Sequence, residues 1–138
     1  MLEDVKINVK IKLSLLWVVL TFFYLYNDVI SFFRKDTIDI VMAGEVGGIQ
    51  INQIFLFGMA ILMAIPIVMI FLSFALPAKV NRWVNIILGI FHMVIFIPFM
   101  FVGGGEETWA HYALYQIFEA VFIVLIVWHA WKWPKQEG

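Results

Sequence analysis

Four long apolar runs alternate with short polar segments along this chain, and that alternation predicts four membrane-spanning helices at about residues 13–33, 53–76, 83–102 and 109–133. Each run holds the roughly 20 apolar residues needed to cross a hydrocarbon core of about 30 Å. In the first, Ser14, Trp17, Thr21, Tyr24 and Asp28 recur every three or four positions. They form one helical stripe, expected to face other helices, while Leu16, Val19, Leu20 and Phe23 cover the rest. After Arg34 the segment DTIDIVMAG predicts a short interfacial helix, capped by Asp36 and closed by Gly44, and GEVGG breaks regular structure before the second span starts at Gln53. That span carries no charge. Its Ala60/Ala64 pair, Pro66 and Met59, Met63 and Met69 read as packing features. LPAKVNRW is a tight connection, with Pro77 ending one helix and Asn81 capping the next. The third span puts Asn85 and His92 on one face, with Gly89 beside them, and Pro98 predicts a bend. VGGGEE then forms a short outer loop.

Composition and charge turn this pattern into a class. Of 138 residues, 64% are hydrophobic and 14% charged, and the charges gather between the apolar runs, so the chain reads as a single all-α domain, 1–138, an integral membrane four-helix bundle. The absence of cysteine excludes disulfides, thiolate chemistry and cysteine-held metals. Lys6, Lys10, Lys12, Lys79, Arg82, Lys132 and Lys135 fall on one side of the four-span topology, against Arg34 and Lys35 on the other. The positive-inside bias therefore puts both termini in the cytoplasm of a multi-pass cell-membrane protein. Asp36, Asp39, Glu45, Glu106 and Glu107 belong to the outer loops, Trp83, Trp131 and Trp133 to an inner aromatic belt, and Trp109 to the outer rim. MLEDVKINVKIKL lacks a signal-cleavage pattern and reads as retained.

The last span, from Thr108 to Trp133, carries one carboxylate, Glu119, about 15 Å below Trp109 and so near the midplane. An ionised carboxylate there is costly and asks for a partner, a proton or a water-filled cavity. His92, roughly 13 Å into the antiparallel third span, shares its level. Asp28 falls near the depth of Tyr115 and Gln116. The expected site is a polar wedge of Tyr24, Asp28, Tyr112, Tyr115, Gln116, His92 and Glu119 in the outer half, with no equivalent in the inner half. Against this stands interhelical packing, the weightier reading for the three tyrosines, while a lone His92 is more often a satisfied core residue. His111 and His129 lie at opposite ends of the fourth span and match His92 at neither, which disfavours haem. His92, Glu119 and Asp28 lack the spacing of a di-metal bundle. No cofactor or metal is expected. No phosphate loop, nucleophile elbow or zinc-protease helix is present, and no basic footprint for nucleic acid.

LSLLW, YLYNDV, GEVGG, FLSFALPAKVNRWVNIILG and IVWHAWKWP together resemble a family of small, uncharacterised prokaryotic four-helix membrane proteins related to the DoxX-like group. The resemblance covers nearly the whole chain and is most specific in the inner loop. It implies no catalytic residue; through the DoxX group's quinone-linked complexes it implies quinone binding or a partner-subunit role. The expected function is binding of a small amphiphilic ligand (quinone, lipid or amine) around Glu119. An accessory subunit or homo-oligomer, and proton- or cation-coupled transport by a dimer, are the alternatives. No motif selects a reaction, although Glu119 and His92 have the chemistry of an acid/base pair.

Overall fold

The first helix begins where Asn8 supplies a cap: its Oδ1 accepts from the Lys10 amide at 2.8 Å, and α1 runs Val9–Ser31, four residues earlier than the apolar run alone predicts. The computed structural model describes residues 1–102 and 109–135. α2, Lys35–Ala43, ends on Gly44 at φ 70°, the left-handed close that glycine permits. Its N-cap is Arg34 rather than Asp36. Asp36 is the second helical residue, where its carboxylate accepts from the Thr37 amide and pairs with the Arg34 guanidinium. GEVGG does not simply break structure. It builds a hairpin, β1 Glu45–Val46 against β2 Ile49–Gln50, through a two-residue turn in which Gly47 and Gly48 both have positive φ, 55° and 83°. That turn suits the strand twist and selects glycine.

α3, Gln53–Ala75, starts with Asn52 accepting from the Phe55 amide at 2.9 Å. Leu76 is extended ahead of Pro77, as the residue before a proline prefers. α4, Ala78–Val102, then starts five residues before its expected position, because the Pro77 carbonyl already accepts from the Asn81 amide. Asn81 therefore does not cap α4. Its Nδ2 donates to the carbonyls of Ser73 at 2.7 Å and Leu76 at 3.3 Å, closing the end of α3 instead. α5 runs Ala110–Trp131, and Arg82 donates to the Trp131 carbonyl beyond its last full turn. The segment expected to form the second outer loop, with Glu106 and Glu107, and Thr108, lie outside the described residues.

Cross-helix contacts fix an up-down-up-down arrangement. Ser14 Oγ donates to the Ile70 carbonyl, Asn27 meets Glu119 and Arg34 covers Trp109, so α1 is antiparallel to α3 and α5. Trp17 bonds Asn85 and Tyr24 reaches His92, both 68 positions away, so α1 and α4 run parallel in constant register. α1 packs broadly on α3 and α5, α4 packs on α5, and α3 and α4 touch sparsely. Their hydrogen bonds sit beside the Pro77 connection. Gly89 lets α4 approach α5: a Cβ there would lie 2.7 Å from Val127 Cγ2.

The buried stripe of α1 is Leu13, Ser14, Trp17, Leu20, Tyr24 and Asn27. Leu20, expected to face outward, is thus core. Phe23, expected there too, stacks on Phe118 of α5 at 5.1 Å. Nor is the half nearer the termini, where no polar cluster was expected, without polar structure. Trp17 Nε1 donates to Asn85 Oδ1 at 2.7 Å, Ser73 Oγ donates to the same oxygen, and Asn85 Nδ2 donates to Asn81 Oδ1 at 2.7 Å. This buried network ties α1, α3 and α4 together, each interhelical bond contributing about 0.5–2 kcal/mol where no hydrophobic term drives association. Outward faces are apolar throughout, with Leu15, Phe22, Ile61, Phe71, Ile87 and Val124 exposed. Four of the helices are long and apolar enough to cross a membrane.

Candidate functional site

Between the four long helices lies a cavity of about 240 Å³ in the half nearer the hairpin. α1 contributes Tyr24, Asn27 and Asp28, α5 contributes Tyr112, Gln116 and Glu119, and Met59, Met63, Met93 and Phe96 supply much of the apolar wall from α3 and α4. α3 and α4, which touch only sparsely, both line it.

Glu119 is nine residues into α5, about 14 Å from its start and 18 Å from its end. It points inward, with 7% of its surface exposed, which excludes a carboxylate stranded on the outer face. Asn27 Nδ2 donates to Glu119 Oε1 at 3.5 Å, a long bond. Asn27, itself 7% exposed, has among the described residues no donor for its Oδ1. One turn before Glu119, Gln116 is also buried and hydrogen-bonds Tyr112, four positions earlier on the same face. Asp28 stands exposed at the hairpin-side rim.

Two expected members sit elsewhere. His92 is fully buried but does not line the cavity. It reaches the site through Tyr24, whose hydroxyl is 3.4 Å from His92 Nδ1. The imidazole stacks on Phe96 and meets Trp17 edge-on, and its Nε2 has no described partner. Tyr115 lies outside as well, its ring edge against Phe23 at 5.4 Å between centroids. Conversely, Asn27 is a site residue that the stripe ending at Asp28 missed. Its signal was the 4-3-4-3 spacing of Leu13, Trp17, Leu20, Tyr24 and Asn27, which is the spacing of a packed helix seam.

Above the cavity, Arg34 is tied down on two sides. Its guanidinium lies 4.6 Å over the Trp109 ring and pairs with Asp36. That hydrogen-bonded guanidinium holds the Asp36 carboxyl below the usual carboxylate range. The clasp joins the start of α2 to the start of α5. At the opposite end Arg82 lies between the Trp83 and Trp131 rings, 5.6 Å from each.

Chemically, the cavity offers two carboxylates and an amide oxygen without a donor, and among the described residues no lysine, arginine or histidine lines it. No group of three or more His, Cys, Asp or Glu suited to a metal occurs among the described residues. Neither a curated protein nor a solved structure matches the chain. Residues 3–138 match a family of unknown function, DUF6326, a match that says nothing of the DoxX-like group, and the chain belongs to that family.

Proposed function

We propose that this is a multi-pass protein of the cell membrane that takes a small amphiphilic ligand, a quinone, lipid or amine, into the cavity around Glu119. The observation that carries the reading is Glu119 itself, turned inward near the middle of α5 beside Asn27 and open space. Buried carboxylates at this depth are costly and mark functional sites more often than packing. At about 240 Å³ the cavity is below the usual range of about 300–1,000 Å³ for a whole drug-sized ligand. A polar head fits inside, and the parting of α3 and α4 gives its hydrocarbon part a lateral way out.

The basic residues at the end holding both termini favour a cytoplasmic location for that end, with the cavity opening outward. α2 and the hairpin, which expose Ile38, Val41, Met42 and Ile49, suit the outer interface of the bilayer. The test is copurification: native mass spectrometry of the protein released from native-lipid nanodiscs. The reading expects a retained small molecule that Glu119→Gln loses while the fold persists. Equal retention by the variant would count against it.

A second reading, an accessory subunit or homo-oligomer, draws on α3, whose apolar stretch is only 11% buried. A cysteine at the exposed Ala60, in a chain with no native cysteine, tests it. Disulfide crosslinking on oxidation supports association through α3, and persistent monomers oppose it. Transport by a single chain is disfavoured, because the Trp17–Asn85–Asn81 network fills the route towards the basic end.

A further inference from the structure

The hydrogen-bonding character of the cavity selects among the three ligand classes. Several of its polar groups already have a partner within the protein: Asn27 Nδ2 faces Glu119, the Tyr24 hydroxyl lies beside His92 Nδ1, and Gln116 hydrogen-bonds Tyr112. Its acceptors are in surplus. Glu119 and Asp28 are acceptor-only when ionised, and Asn27 Oδ1 is buried, on a residue 93% enclosed, with no donor among the described residues. An unsatisfied buried acceptor costs free energy that a ligand donor recovers. The nearest guanidinium, that of Arg34, is committed to Asp36 and the Trp109 face. A quinone carbonyl or a phosphate oxygen would therefore meet further acceptors, whereas a cationic N–H meets complementary groups. The aromatic rings of Tyr24, Phe96 and Tyr112 on the same wall add faces that attract cations.

We propose that the ligand is a protonated alkylamine, its ammonium group held by Glu119, Asp28 and the Asn27 side-chain oxygen, and its alkyl chain directed along Met59, Met63 and Met93 between α3 and α4. This rests on the reading of the cavity as a ligand site, and the experiment separates the two. Protein in nanodiscs is dialysed to equilibrium against dodecan-1-amine, dodecan-1-ol or decylubiquinone at neutral pH, with empty nanodiscs subtracted for partitioning. Saturable binding is expected for the amine, weaker by about tenfold or more for Glu119→Gln and clearly weaker for Asp28→Asn, with the alcohol and the quinone not saturating. If Glu119→Gln does not fold, as judged by circular dichroism, the exposed Asp28→Asn variant decides. Amine binding unchanged in that variant overturns the assignment. Saturable binding of the quinone or alcohol at least as tight as the amine, and weakened by Glu119→Gln, overturns the amine while leaving the cavity as a ligand site; binding indifferent to both substitutions overturns both. No saturable binding of any of the three overturns both.

Discussion

Single side chains decide where this bundle is tight and where it is open. Gly89 is the tight point, since any Cβ must displace the branched Val127 side chain. Gly89→Ala should cost about 1–3 kcal/mol in a mixed-micelle unfolding titration, the usual penalty of overpacking. Adding Val127→Ala should recover most of that loss, and a purely additive double variant would mean that the two residues do not meet. At the rim, Asp36 has its pKa lowered by the Arg34 hydrogen bond, so its contribution is present above the unfolded carboxylate pKa of about 4 and is lost as pH falls through the lower folded value. Acidification through that lowered folded value, beneath the usual carboxylate range, should free Arg34 from Asp36 and change the emission of Trp109 under it, in a variant keeping Trp109 as sole tryptophan. Asp36→Asn should abolish that acid step. Much of the cavity lining was legible at this scale because a polar side chain in an apolar run stands out: Glu119, Gln116, Asp28, Tyr24 and Tyr112 all line it. Asn27 was hidden by its neighbour Asp28, and only the packing spacing of the whole helix separates the inward one from the exposed one. Tyr115 does not join the cavity lining, since one residue of rotation from Gln116 turns it onto Phe23.

Helix ends follow from caps more than from apolar runs. Asn8 and Asn52 start α1 and α3 through side-chain oxygens, and the run of hydrophobicity could not register the extra turn that Asn8 adds. Asn81 reads as an N-cap from its place after a proline, yet it serves the preceding helix, because Pro77 already provides the first acceptor of α4. Asn81→Ala removes two donors to α3 carbonyls and the acceptor of Asn85. It should destabilise the protein by about 1–3 kcal/mol and speed amide hydrogen exchange around Leu76, the cost of leaving buried polar groups unpaired. Unchanged exchange would show that the α3 end closes without it. The hairpin was missed because its two-residue strands are too short for any periodicity; only the paired glycines announce the turn.

At the scale of the whole molecule, antiparallel order and the number of long helices were legible from the apolar pattern, while the neighbours of each helix were not. The choice that matters, α3 parting from α4 to leave the cavity, depends on side chains meeting across helices distant in sequence, such as Trp17 with Asn85. The central claim is that Glu119 occupies an accessible niche reached from the hairpin side, sealed from the basic end. The chain has no cysteine, so Glu119→Cys and the outward-facing Val124→Cys can be compared directly in oriented proteoliposomes with a small membrane-impermeant methanethiosulfonate cation. The account predicts that Glu119→Cys reacts from the hairpin side much faster than Val124→Cys, and that it does not react from the side bearing the termini. Equal, negligible labelling at the two positions, or labelling of Glu119→Cys from the basic end, would contradict it.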